Sequence, residues 1–386
     1  MNRVRFSIAC LIFYVILFSA CREREKGFIE PILLRESGKK MTVKTQVVEI
    51  SVPEGVPEYF PILSILEDSE GAFYAGYHER VHAISFFSLS QQEYLSSLSL
   101  EQEGPKGIRT VNAIDYYSRD SIFILSDYSI YLLNATGDLL NKWDFRYGED
   151  RFSNRYMFDG YGNSSFSYDD TDKSFLMGLY STSISGTASP EEFYGTSLIG
   201  KYELSSSEMK VLPFTFPDEY REYYYGYLDQ PVISHIGSKS YASFPALSKV
   251  FEFDRDQETE RIFTMSSEYI EDETQKMDFD QTVQEDAKMR HAIMSPDYGI
   301  LLPLVDRKLV RLFRSNFPNN NSDFRDANRK KPVNLSVIDL ENSTFSEWQL
   351  PFSMVNHNLA FSIKSEIWVQ FFVNEQGVCK FFKVTI

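Results

Sequence analysis

The amino-acid sequence predicts an all-β protein, a six-bladed β-propeller whose last blade is closed by a strand from near the N-terminus. Three observations carry that expectation. Between positions 59 and 386 one phrase recurs six times, in which strand-length apolar or aromatic segments alternate with short polar turns. Most copies end in an outer hairpin. The final copy falls short of a full blade, while an isolated strand pattern precedes the first.

Taken in order, the middle strands of the copies read as residues 72–77, 121–126, 174–179, 240–244, 299–304 and 366–372. Outer hairpins pair 84–89 with 94–100, 130–134 with 139–145, 197–204 with 208–216, 249–253 with 259–265, and 335–340 with 345–350. The excess length of the repeat sits in insertions. Residues 182–195 are rich in Ser, Gly and Pro, 266–290 are acidic with helical potential, and 317–332 form an Asn-rich basic stretch. The copy from residue 358 onward supplies about three strands, so something must complete it. Residues 42–52, Thr-Val-Lys-Thr-Gln-Val-Val-Glu-Ile-Ser-Val, are suited to that role and would hide an edge open to aggregation. Blades cannot bury their faces singly, so residues 39–386 count as one propeller domain despite their length.

Ahead of that body, Arg3 and Arg5, an apolar run over residues 6–18 and Ser19-Ala20-Cys21 follow one another as in a secretory signal. The pattern resembles a bacterial lipoprotein signal, which implies cleavage after residue 20, acylation of Cys21 and a tether over residues 21–38. Acyl chains contribute about 0.8 kcal/mol per buried CH₂, enough in combination to hold the protein at a membrane without a spanning helix. Arg22, rather than aspartate, follows the cysteine, which favours the outer membrane, facing the periplasm or the surface. With Cys10 in the signal and Cys21 acylated, Cys379 stands alone and reads as a small buried apolar residue.

The formal net charge of −16 argues against nucleic-acid binding and for a solubilising surface. The membrane is reached through the lipid anchor alone.

At Glu103-Gly104-Pro105-Lys106-Gly107-Ile108, at Leu335-Ser336-Val337-Ile338-Asp339 leading to Glu347, and at the ending Lys380-Phe381-Phe382-Lys383-Val384, the chain resembles the six-bladed propeller lipoproteins of unknown function found in gut anaerobes. The resemblance spans nearly the whole chain. It implies the fold and the envelope address, and no activity comes with it.

His78-Glu79-Arg80-Val81-His82 satisfies the zinc-protease pattern H-E-x-x-H, but that chemistry needs a helix to bring both imidazoles to one metal. Here the flanking residues read as paired strands, so His78, Glu79 and His82 are read as a chance match at a hairpin turn. No catalytic triad order, EF-hand, cysteine metal motif or phosphate cradle stands out, and no cofactor is expected. In a propeller, connections between blades gather at one end of the channel. Glu103, Lys106 and Arg109 lie on one such connection, Arg146 on the next, and Arg221, Tyr223 and Tyr224 on a third. Tyrosine faces and guanidinium groups suit recognition of a glycan, a peptide or an envelope protein. The leading expectation is a non-catalytic binding propeller. Its rivals are a propeller enzyme acting on glycans or peptides, and a structural component of an envelope complex.

Overall fold

The computed structural model describes residues 29–37, 43–145, 156–158, 165–181, 189–270, 273–278, 281, 284–316, 330–351, 353, 355–372 and 375–386. Within the compact unit from Ile32 to Ile386, six antiparallel sheets follow one another along the chain. Blade 1 comprises Ile62–Asp68, Gly71–His78, Ala83–Ser88 and Glu93–Ser99. Blade 2 comprises Ala113–Ser118, Ser121–Ser126, Ser129–Leu133 and Leu139–Asp144. In blade 3, Phe166–Asp169 and Tyr156–Phe158 both pair with Ser174–Ser181, which is followed by Ile199–Glu203 and Glu208–Val211. Blade 4 comprises Val232–Ile236, Lys239–Ser243, Lys249–Asp254 and Thr259–Thr264. Blade 5 comprises Asp297–Pro303, Lys308–Arg314, Val333–Asp339 and Thr344–Gln349.

Blade 6 takes Val355–Ile363, Glu366–Phe371 and Val378–Thr385 from the C-terminus and Lys44–Ser51 from the N-terminus. The last two are antiparallel from Lys44 opposite Thr385 to Ser51 opposite Val378, so the expected closure is present.

One expected strand has a different place. Residues 299–304 were read as a middle strand, yet Asp297–Pro303 is the first strand of blade 5, and Lys308–Arg314 is the second. The insertion before Val333 separates that second strand from its partner, which hides the hairpin spacing a sequence reader relies on.

The first five blades repeat a backbone device as well as a pattern. In blades 1, 3, 4 and 5 the residue just before the outer strand, Gln92, Ser207, Glu258 or Ser343, lies in the left-handed region, and Gly137 serves the same turn in blade 2. These turns reverse the chain tightly where alternating burial demands it.

Six apolar clusters fill the spaces between neighbouring blades. The one at the closure joins Val48 and Ile50 to Phe60, Tyr74 and Phe87 of blade 1 and to Phe361, Trp368 and Phe381 of blade 6. Tyr74 meets Phe60, Phe87 and Phe381 edge to face at centroid distances of 5.4 to 5.9 Å, a favoured aromatic geometry. Cys379 lies fully buried in this seam, and burial pushes its thiol up to about 12. Such a thiol is packing material.

The segment read as a tether is bound over part of its length. Ile32–Leu33 adds a parallel strand to the outer edge of blade 4, and Arg35–Glu36 does the same on blade 5. Between them Leu34 is 3% exposed, packed among Phe263, Met265, Leu309 and Phe345. This short staple crosses two blades and covers their exposed edges. Cys21 lies outside the described residues.

Candidate functional site

First strands of successive blades lie side by side around the centre, and the loops entering them converge at one end with the loops joining second to third strands. Two clefts open there. The first, about 540 Å³, is lined by Tyr59, Ile62, Tyr77, Glu79, Arg109, Thr110, Asn112 and Leu359 among others. The second, about 560 Å³, is lined by Tyr227, Asp229, Gln230, Asp297, Tyr298, Arg314 and His357 among others. Asn356 and Asn358 line both and form the ridge between them.

In the first cleft, Arg109 is exposed and has no salt bridge among the described residues. Its neighbours are held in place. Asn112 accepts a hydrogen bond from the Asp127 amide through Oδ1 at 2.8 Å, and Asn356 donates to the Tyr59 hydroxyl at 2.9 Å. Glu79 reaches the cleft because the residues after His78 form a 3₁₀ turn, Glu79–Val81, rather than an α-helix. His82 follows with φ of 47° and is buried at 7% exposure. Its Nδ1 lies 2.9 Å from the Tyr77 hydroxyl and its Nε2 lies 2.8 Å from the Ile108 carbonyl. Both ring nitrogens are therefore engaged, while His78 Nδ1 accepts from the Arg80 amide. This is a capped hairpin turn, and the helix that H-E-x-x-H chemistry requires is not formed.

Other residues singled out in the sequence are scattered. Glu103 and Lys106 are exposed on the connection leading to Arg109, and Lys106 Nζ stands 3.9 Å from Asp138, far enough and wet enough to count for little. Gly104 accepts from the Gly107 amide, closing the expected turn. Arg146 lies outside the described residues. Arg221 donates through Nη2 to Thr215 Oγ1 on its own connection at 2.8 Å and stands 3.9 Å from Glu191, while its Nε is buried without a hydrogen-bond partner among the described residues.

The tyrosine run divides between core and rim. Tyr220, Tyr224 and Tyr225 are buried with Tyr194 and Phe244, and the Tyr220 hydroxyl donates to Leu228 O at 2.7 Å. Tyr223 is 38% exposed under the ammonium of Lys276, 3.5 Å from its ring centroid. Tyr227 is 46% exposed, and it reaches the second cleft.

Sequence reading missed the most polar part of the mouth. Asp297, 2% exposed, receives Arg314 Nε at 2.9 Å and Arg314 Nη2 at 2.5 Å on its two oxygens, Lys331 Nζ at 3.1 Å, and His357 Nε2 at 2.8 Å. Lys331 is fully buried and also donates to the carbonyls of Ala292 and Ser295. Burial alone would raise the Asp297 carboxyl, but Arg314, Lys331 and His357 hold it well below the ordinary value. Burial lowers Lys331 to about 8, against the pull of Asp297, and lowers His357 as well. Asp229 on the opposite wall is pushed up to about 7 by burial. Nearby, Arg311 is fully buried, stacks over Tyr298 at 4.1 Å, and spends its donors on Ser243 Oγ and the carbonyls of Leu247 and Ser248. No local motif announces such a cluster, since its members lie 17 and 34 residues apart in the hydrogen-bonded pairs and come from different elements.

A closed ring of six sheets with ligand-sized clefts at one end of its channel defines a six-bladed β-propeller. The chain belongs to the family described as "Domain of unknown function (DUF4221)", whose model matches residues 40–348. A crystal structure of a member of that family from Bacteroides vulgatus superposes with a TM-score of 0.72 at 14% identity, covering 89% of this chain and 98% of that one. A Bacteroides fragilis protein provisionally named as exported superposes with a TM-score of 0.58 at 10% identity, covering 92% of this chain and 99% of that one. At such identities the likeness shows a common fold. No curated protein matches the sequence. The resemblance to a propeller family of unknown function is thus confirmed.

Proposed function

We propose that this protein is a lipid-anchored envelope protein that binds, without transforming, a glycan or peptide segment bearing a carboxylate at the mouth of its channel. One observation carries the reading. Blades 1 and 2 contribute Tyr59, Glu79, Arg109 and Asn112 to one open cleft, in which the exposed Arg109 makes no salt bridge among the described residues. A guanidinium of this kind recognises a carboxylate through paired hydrogen bonds, and the tyrosine adds a flat apolar face beside it. Export is supported by the signal pattern before Cys21 and by the provisional name of the Bacteroides fragilis relative. Arg22 after the cysteine supports the outer membrane over the inner.

An array of acidic glycans and peptides, probed with soluble protein beginning after Cys21, tests the binding. Arg109→Ala should weaken any hit about tenfold, equivalent to about 1.4 kcal/mol. Undiminished binding by that variant would remove the cleft from the proposal. Metabolic labelling with a fatty-acid analogue should mark the parent and not Cys21→Ser, and an unlabelled parent would remove the anchor.

The rival enzymatic reading has its own support in Asp229, a cleft carboxyl raised to about 7 as a general acid requires. Turnover of an array member, abolished in Asp229→Asn, would establish it in place of simple binding.

A further inference from the structure

The second cleft contains two polar atoms whose burial is unexplained by its packing. Asp297 is ionised and can only accept, so the His357 nitrogen that faces it, Nε2, carries the hydrogen. In the neutral ring Nδ1 is then a bare acceptor, and it has no hydrogen-bond partner among the described residues although His357 is 3% exposed. Next along the chain, Asn358 has a buried Oδ1 that is likewise unpartnered. Each such acceptor has lost its water without gaining a partner, which costs the fold stability. Two in succession beside a cleft point to a role outside the fold itself.

Backbone irregularity brings them there. Consecutive side chains of a regular strand face opposite ways, yet His357 and Asn358 both line the second cleft. The first strand of blade 6 breaks register between Val355 and Ala360, and the first strand of blade 5 breaks register between Tyr298 and Leu301. Bulges of this kind re-aim side chains near functional sites. Gly299 occupies the second break, where a Cβ would come within 2.5 Å of His357 Cδ2 and 2.6 Å of Asn358 Oδ1. Only glycine leaves room for both.

Local charge selects among donors. Arg311, Arg314 and Lys331 outnumber Asp297 and Asp229, the latter a carboxyl that burial raises to about 7, so an ammonium would meet net positive charge, whereas a hydroxyl would not suffer from it. Tyr227 at the rim offers a ring face, and about 560 Å³ suits a ligand of small-saccharide size.

The geometry points to a second binding subsite in which a neutral, hydroxyl-rich ligand, a saccharide or polyol, donates hydrogen bonds to His357 Nδ1 and Asn358 Oδ1. Both atoms are covered in the free protein. Asn358 is half-buried and shared by the two clefts, so its rotation opens the path. The subsite does not depend on the ligand proposed for the Arg109 cleft.

Saturation-transfer NMR with glucose, galactose, mannose and myo-inositol, and with ethylammonium as the cationic control, tests it on the soluble protein. At least one polyol should bind, ethylammonium should not, and Asn358→Leu or Asn358→Ala should weaken the bound polyol tenfold or more while the fold melts as in the parent. In protein labelled with ¹⁵N-histidine, the His357 Nδ1 resonance should move upfield on binding. The inference is overturned if none of the four binds at about 10 mM, a weak-affinity limit, if both Asn358 variants bind as the parent does, if the Nδ1 resonance stays still, or if ethylammonium is preferred. Loss of polyol binding in Arg109→Ala but not in the Asn358 variants would place the polyol in the first cleft, overturning this subsite and leaving the proposed function intact.

Discussion

Blade 6 meets its two neighbours in contrasting ways. Toward blade 1 it presents Val48, Ile50, Phe361, Trp368 and Phe381, a dry seam of interlocked rings and branched side chains. Toward blade 5 it has an apolar body too, but at the channel mouth His357 enters a buried network with Asp297, Arg314 and Lys331. The first contact can be made by any apolar surface of matching shape. The second works only with particular atoms in particular places, and a partner removed from it leaves stranded charge. The comparison separates what closes the ring from what equips its mouth.

The largest expected effect breaks the dry seam. Ile50→Asp would bury a carboxylate without a partner in the closure strand, and we expect a loss above about 4 kcal/mol, seen as the absence of a cooperative melting transition. A parent-like melt would show that closure is dispensable. Next comes the polar mouth. Asp297→Asn should destabilise by about 3–5 kcal/mol in urea titration at neutral pH, because Arg314 and Lys331 lose their counter-charge.

The pH dependence of that second effect has a definite sign. The Asp297 carboxyl is held below its ordinary value in the folded state, so its contribution is complete above about pH 4 and fades as pH falls through the lower folded value. The difference between parent and Asp297→Asn should therefore shrink in acid. A gap that widens instead would mean that the charges of the network do not carry its stability.

Smaller effects sharpen the contrast. Leu34→Ala should lower stability by about 2–3 kcal/mol, since it empties the staple between blades 4 and 5, and an unchanged urea midpoint would make the staple ornamental. Lys106→Ala, at an exposed pair 3.9 Å apart, should change stability by less than about 0.5 kcal/mol. A larger loss would reveal a structural role for a connection whose exposure suits ligand contact.

The closure strand was legible because its residues alternate and its final partner was short of a strand. The closure is a matter of pattern. Blade 5 was misregistered at residues 299–304 because apolarity marks a strand without saying which of four it is, and the insertion after Arg314 removed the spacing that would have decided. The clefts were partly legible. Arg109 was expected on a connection at the channel end and lines a cleft, while Tyr224, from the same kind of connection, is buried in the core. A tyrosine in a loop carries no mark of whether its ring faces solvent or a neighbouring blade.

By itself the sequence determined the all-β class, the number of blades, the strand that completes the last of them, and the burial of Cys379. Each follows from local periodicity and from the need to pair every edge, and such information is written in neighbouring residues. Tertiary structure alone decided that Asp297, Arg314, Lys331 and His357 would meet, and that Gly299 would leave space for His357 and Asn358. Electrostatic and steric terms of this kind depend on distances across blades, and the separation of two residues along the chain does not encode them.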